Sequence, residues 1–233
     1  AIAGRLSLRP PQRRSLEILA RVLDIAPPAK DSDVAGACGV IKSEFTTLQD
    51  FEREFVSLCF ALATGVGKTR LMGAFIAYLY LTGKSRHFFV LAPNLTIYNK
   101  LIADFTPGTP KYVFQGLAEF ATTPPVVVTG DNYEDGKGVR TEREAGSLPF
   151  GRDFDTAAII NVFNIAKISS DVRASTRGDK PPRIKRLAEY IGESYFDYLA
   201  GLPDLVLLMD ESHRYRADAG TKAINDLRPM LGL

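Results

Sequence analysis

Ala63-Thr64-Gly65-Val66-Gly67-Lys68-Thr69 follows an apolar run at residues 56–62 and opens a stretch, 68–81, whose apolar residues recur at helical spacing. Strand, glycine loop, Lys-Thr and helix in that order form a cradle for phosphate. Gly65 and Gly67 permit backbone conformations that turn N–H groups toward an anion, and the start of the following helix adds partial positive charge. In such a loop, running from Thr64 through Val66 to Thr69, Lys68 reaches the β- and γ-phosphates of a nucleotide and the Thr69 hydroxyl ligates Mg²⁺. The general pattern G-x-x-x-x-G-K-[ST] has a first glycine where this chain has Leu62. Gly65, inside the loop, keeps the required freedom.

Outward from the loop the text alternates. Apolar, β-favouring runs occur at residues 56–62, 87–92, 111–114, 126–129, 157–163 and 205–209, most of them too continuous for a sheet with one wet face. Helical patterns lie between several of them, notably at 68–81 and 97–105. Buried strands separated by helices predict an α/β fold: a doubly wound, mostly parallel sheet with helices on both faces and its reactive edge at the carboxyl ends of the strands. An amphipathic helix is expected over 13–23, with Pro10 and Pro11 where it can begin, and another over 221–230 leading into a strand at 231–233. Residues 26–51 read as a surface connection with some local structure. Residues 131–155 and 169–182 read as surface insertions.

Composition bounds the function. The chain has 233 residues with 45% hydrophobic content, enough for a sizeable core, and 29 Lys+Arg against 27 Asp+Glu leave a net charge of +2. No global basic field exists, so any nucleic-acid contact must be local. Cys38 and Cys59 cannot build a disulfide framework, and with only His87 and His213 beside them the usual zinc arrangements lack ligands. No stretch is apolar for long enough to span a bilayer, and Arg5, Arg9, Arg13 and Arg14 spoil a signal-peptide reading, so a cytoplasmic location is expected. The chain begins at Ala1 rather than Met and ends at Leu233 without a tail, which reads as part of a longer protein.

A second motif ends the last long apolar run: Leu205-Val206-Leu207-Leu208-Met209-Asp210-Glu211-Ser212-His213. Paired acids at the end of a buried strand are costly unless a cation or a reaction uses them. Asp210 suits Mg²⁺, directly or through water, and Glu211 suits the orientation and activation of an attacking water.

With both motifs in place the chain resembles superfamily 2 helicases and translocases of the DExH branch. Leu8-Arg9-Pro10-Pro11-Gln12 is similar to the upstream Arg-Pro-x-Gln element of that superfamily, and Leu91-Ala92-Pro93-Asn94 to its motif Ia. Asn161-Val162-Phe163-Asn164-Ile165 and Asp210-Glu211-Ser212-His213-Arg214-Tyr215-Arg216 most resemble the restriction subunit of type III restriction-modification enzymes. The resemblance implies that residues 1–233 are the first RecA-like P-loop ATPase domain of a longer motor, with ATP and Mg²⁺ as cofactors. It also implies double-stranded DNA and a methyltransferase subunit as partners, and a second RecA-like domain in the same protein.

Carried over residue by residue, the resemblance makes Gln12 the adenine contact and His213 the link to the partner motor domain. Pro93, Asn94 and Thr96 fall where the family touches the nucleic-acid backbone, with Thr129, Gly130 and Asn161 as further candidates for that track. The basic cluster Lys167, Arg173, Arg177, Lys180, Arg183, Lys185 and Arg186 can be a phosphate-following surface or a solvated insertion, and its lack of aromatic residues favours the latter. His87 reads as structural and Cys59 as a core residue, while Cys38 stays open. No nuclease signature is visible, so any DNA cleavage would lie outside these residues. Two other readings share much of the chemistry: a remodelling or repair translocase, and a nucleotide-gated DNA-binding switch without turnover.

Overall fold

A strand that is apolar at every position must hide both of its sides, and the computed structural model shows how this chain does so. It describes residues 2–139, 157–169, 182–215 and 218–233, the side chains of 218 and 219 excepted. In chain order the strands are β1 (His87–Ala92), β2 (Val126–Thr129), β3 (Ile159–Asn164), β4 (Leu187–Ala188), β5 (Glu193–Ser194), β6 (Leu205–Met209) and β7 (Leu231–Gly232). Five of them pair in parallel in the order β2-β3-β1-β6-β7, while β4 and β5 form a small antiparallel pair.

Alternate residues of the central strands divide between two cores. Phe88, Val90, Ala92, Ile160, Val162, Val206 and Leu208 pack with the helices Pro10–Ile25, Lys68–Leu81 and Leu95–Phe105. Phe89, Leu91, Ile159, Phe163, Leu205 and Leu207 pack with the helices Tyr195–Gly201 and Asp218–Asp226. This is the doubly wound α/β sheet that the apolar runs implied. His87 is level with Ile159 on one side and Leu205 on the other, so the three central strands also finish together. The His87 ring sits at the foot of β1, where its Nδ1 lies 2.6 Å from an Asp204 carboxylate oxygen.

Two expected strands are corrected. Residues 56–62 contribute a single parallel bridge, Ser57 to Gly232, with Leu58 N–H donating to the Gly232 carbonyl and Gly232 N–H to the Val56 carbonyl, both at 2.9 Å. The run lies outside β7 at the sheet edge, where only one side can be covered: Leu58, Phe60 and Leu62 lean on the core, and Cys59 and Ala61 face out. Cys59 is therefore exposed, not a core residue. Residues 111–114 form turns rather than a strand, because Val113 N–H is taken by the Asp104 carbonyl and Phe114 stacks on Phe120 with ring centroids 4.2 Å apart. The connection at 26–51 contains a helix, Val34–Glu44, capped by Asp33. The helix expected over 221–230 runs Asp218–Asp226 and stops before Met230, whose N–H joins the sheet through the Leu205 carbonyl. Most of the two expected insertions, with Arg173, Arg177 and Lys180, and also Arg216, lie outside the described residues.

Asn161 is corrected too. It sits mid-strand in β3, 1% exposed, on the face closed by the helix Tyr195–Gly201. Its Oδ1 accepts from the Tyr195 hydroxyl at 2.6 Å and its Nδ2 donates to the Phe88 carbonyl at 3.2 Å. An amide in the middle of a strand, closed over by a helix and bonded at both ends, does not reach a phosphate backbone outside the sheet. Asn161→Ala should destabilise the fold by about 1–3 kcal/mol in urea denaturation, because the buried Tyr195 hydroxyl and the Phe88 carbonyl each lose their bond to the amide. Adding Tyr195→Phe should recover part of that loss. A loss of DNA affinity with unchanged stability would contradict the buried assignment.

Candidate nucleotide and nucleic-acid site

Because all five strands are parallel, their carboxyl ends deliver their following loops to one edge. The loop before the helix Lys68–Leu81 carries Gly65 at φ 82° and Gly67 at φ 97°, the left-handed region that suits glycine. Gly67 caps that helix without any side-chain cap, and Thr64, Gly65 and Gly67 are exposed. The helix therefore offers its first N–H groups outward, the arrangement that binds an anion.

Gln12 stands beneath the loop, 1% exposed. Its Nε2 donates to the carbonyls of Val66 at 3.0 Å and Gly67 at 2.8 Å, and its Oε1 accepts from Arg9 N–H at 2.8 Å. Arg9 adds a guanidinium bond to the Gly65 carbonyl at 3.1 Å. The carboxamide thus faces the loop backbone. A Cβ on Gly67 would stand 2.8 Å from that Nε2, so only glycine admits this brace.

Beyond β6 the chain turns abruptly at Glu211, a non-glycine residue at φ 56°. Backbone strain of this kind costs on the order of 1–3 kcal/mol and collects at functional sites. Here it aims the carboxylate across the edge at Lys68 Nζ, 2.5 Å away, each side chain about one third exposed (34% and 30%). The Lys68 hydrogen bond holds the Glu211 carboxyl below its usual range. Asp210 moves the other way, raised by burial and then by the Glu211 charge. His213 is exposed, with its Nδ1 3.6 Å from the second Glu211 oxygen. The turn is tied to the sheet by Tyr215, whose buried hydroxyl donates to the Leu91 carbonyl at 3.0 Å.

The neighbouring strand ends line up beside this centre. Pro93 and Asn94 follow β1, Asn94 Oδ1 accepts from Ile97 N–H at 2.9 Å to cap the helix Leu95–Phe105, and Thr96 is exposed in its first turn. Thr129 and Gly130 end β2 in a tight turn, Thr129 N–H donating to Asn132 Oδ1 at 2.6 Å. Gly130 is buried against Tyr98 and Lys167. Two residues here have places that the sequence does not assign them. Asn164, at the end of β3, caps the next short helix through Ala166 N–H. Lys100, on the helix Leu95–Phe105, reaches the Thr69 hydroxyl at 2.7 Å. Its sequence signal was the pair Lys100 and Asp104, one helical turn apart.

A glycine loop on an uncapped helix, a lysine facing an acid pair and a doubly wound parallel sheet define a RecA-like α/β domain. The family model for the type III restriction enzyme res subunit matches residues 5–233, and the chain belongs to that family, which implies an ATP-binding, helicase-like motor domain. No curated protein and no solved structure matches the chain. Among the described residues no helix is long and apolar enough to cross a membrane.

The Lys68–Glu211 pair makes a spectroscopic prediction. In Lys68→Ala the Glu211 carboxyl should titrate at higher pH than in the unaltered protein, since its principal stabiliser is gone, and carboxyl ¹³C NMR reads the shift directly. An unchanged titration would show that the two side chains do not meet in solution.

Proposed function

We propose that this chain is the Mg-ATP-hydrolysing motor of a DNA translocase or helicase, and that it serves a type III-like restriction enzyme. The observation that carries the reading is Lys68 and Glu211 facing each other across the strand ends, beside a loop whose glycines and open helix start suit phosphate. Lys68 is the charge for the β- and γ-phosphates, and the loop from Thr64 to Thr69 wraps them. Glu211, released from Lys68 when phosphate takes its place, orients a water for in-line attack and accepts its proton. Thr69 and Asp210, a hydroxyl and a carboxylate, are the hard oxygen donors that fit Mg²⁺. When bound, that ion supplies neutralisation of charge on the phosphate oxygens.

Gln12 combines two tasks, bracing the loop and reading adenine. Base contact requires the amide to leave at least one of its backbone partners, which links base recognition to loop order. His213 carries the state of Glu211 toward a second RecA-like domain that closes over the nucleotide. Pro93, Asn94, Thr96, Thr129 and Gly130 line a track for one strand of duplex DNA along the sheet edge, where helix starts offer N–H groups to phosphates. A methyltransferase subunit is the partner expected in the restriction setting, and the cytoplasm its compartment.

In the longer protein that carries this chain, Lys68→Ala should abolish DNA-stimulated ATP hydrolysis while leaving the fold in place. Glu211→Gln should retain ATP binding and lose turnover by orders of magnitude, whereas Asp210→Asn should chiefly raise the Mg²⁺ requirement. Identical phenotypes for the two acids would refute this division of roles, and DNA-independent binding without turnover in the unaltered protein would favour a switch over a motor. Gln12→Ala should weaken both ATP and GTP, ATP by the larger factor, worth on the order of 1–3 kcal/mol for a lost base-edge hydrogen bond. Equal losses would leave Gln12 as a brace alone.

A further inference from the structure

Lys100 belongs to none of the motifs, yet its ammonium lies against Thr69, one of the two groups assigned to Mg²⁺. Its Nζ donates to Thr69 Oγ1 at 2.7 Å and to Asp104 Oδ2 at 2.7 Å. Thr69 is therefore approached by a cation already, and through the hydroxyl oxygen that a metal ion would use. The oxygen has two lone pairs, but two cations drawn to it repel each other, so a metal ion and the ammonium weaken each other's hold there.

Asp104 shows why the lysine is held there. Its side chain is 6% exposed while that of Lys100 is 53% exposed, so the carboxylate is the buried anchor and the ammonium the reaching end. A buried carboxylate demands a cation, and Lys100, one turn away on the same helix, supplies it. The anchor lets the ammonium give up Thr69 without leaving Asp104 unpaired. The helix that carries both residues begins at the Asn94 cap, beside Pro93 and Thr96.

Building on the nucleotide-site reading above, we propose that Lys100 is a tethered cation that competes with Mg²⁺ for Thr69, and that its displacement by the metal ion signals nucleotide loading to the helix Leu95–Phe105. Without metal, the ammonium neutralises phosphate in its place. With metal, it retreats onto Asp104. The helix that opens the nucleic-acid track thus holds a group that responds to the metal.

The test is binding, not turnover. A fluorescent ADP analogue is titrated onto the chain across a range of Mg²⁺ concentrations and again in EDTA, for the unaltered chain, Lys100→Met and the apolar pair Lys100→Met with Asp104→Leu. The double variant guards against a fold lost to an unpaired buried Asp104, because replacing both partners of an ion pair is often tolerated. In both variants the half-saturating Mg²⁺ concentration should fall by on the order of tenfold, the scale of one charge-assisted hydrogen bond, and affinity in EDTA should fall as well. An unchanged or raised Mg²⁺ requirement would overturn the competition and leave Lys100 as a prop for the Thr69 hydroxyl. Asp210→Asn separates the two levels of argument. If it shifts the Mg²⁺ dependence while Lys100→Met does not, only the competition fails. If the unaltered chain shows no Mg²⁺-dependent binding, the nucleotide site and the competition fail together.

Discussion

A parallel sheet buried on both faces has almost nowhere to put polar chemistry. Its strands are occupied by packing on each side, and their hydrogen-bonding groups by the ladder, so the groups that can meet solvent and ligands are those just past the strand ends. In this chain β1, β3 and β6 finish within one residue of each other, and the residues at or just past their ends, Pro93 and Asn94, Asn164, and Asp210 and Glu211, therefore share one edge with the glycine loop. Asn161 shows the converse. Three residues earlier in β3 than Asn164, it is inside the sheet and its amide is consumed by Tyr195 and Phe88. Position along the strand, rather than residue type, separates the structural asparagine from the one at the edge.

The charges at that edge are arranged to satisfy one another before any phosphate arrives. Lys68 is paired with Glu211, and Lys100 with Asp104 and the Thr69 hydroxyl. Asp210 is left as the acid with the harder environment, disfavoured in its charged form by burial and by its neighbour. On the proposed reading a nucleotide with its cation rearranges all of these at once, phosphate competing for Lys68 and the metal ion with the Lys100 ammonium. An ion pair that leaves about a third of each side chain in solvent, as Lys68–Glu211 does, is weak enough for such an exchange, being worth of order 1 kcal/mol or less at a solvated surface. A deeply buried pair in their place would lock the centre shut.

How much of this was legible follows from how local each signal is. Strands β1, β2 and β6 were readable to the residue because continuous apolar runs, bounded by polar text, admit one interpretation. The helix at Lys68–Leu81 was equally plain, since Gly67 marks its start. Residues 56–62 carry the same composition but lie at an edge, and no periodicity distinguishes an outer strand from an inner one when its outward residues are Cys59 and Ala61. Residues 111–114 are apolar for a different reason, plugging the space under Phe120. In the candidate site, the glycine loop and the acid pair were visible because each is contiguous. The bonds from Gln12 to the loop and from Lys100 to Thr69 were not, because 55 and 31 residues separate their ends and only the fold brings them together.

The spacing between Lys68 and Glu211 depends on a strand with no chemistry of its own. β7 lies between the lead-in to the glycine loop and β6. On one side Gly232 exchanges hydrogen bonds with Val56 and Leu58, and on the other Leu233 donates to the Leu207 carbonyl and accepts from Met209 N–H, both at 2.8 Å. Two ladder steps of roughly 4.8 Å each thus set the separation of the two motifs at the level of the backbone. Side chains close the rest of the gap, Lys68 by its length and Glu211 by its left-handed turn. Gly232 is what makes the first step possible, because a Cβ there would stand 2.6 Å from the Phe55 ring, which packs across it. The lead-in holds to the sheet by one bridge, so the loop's distance from the acid pair is fixed chiefly by this close approach. A glycine far from either motif in the sequence is thereby part of the geometry that lets a lysine and a glutamate meet.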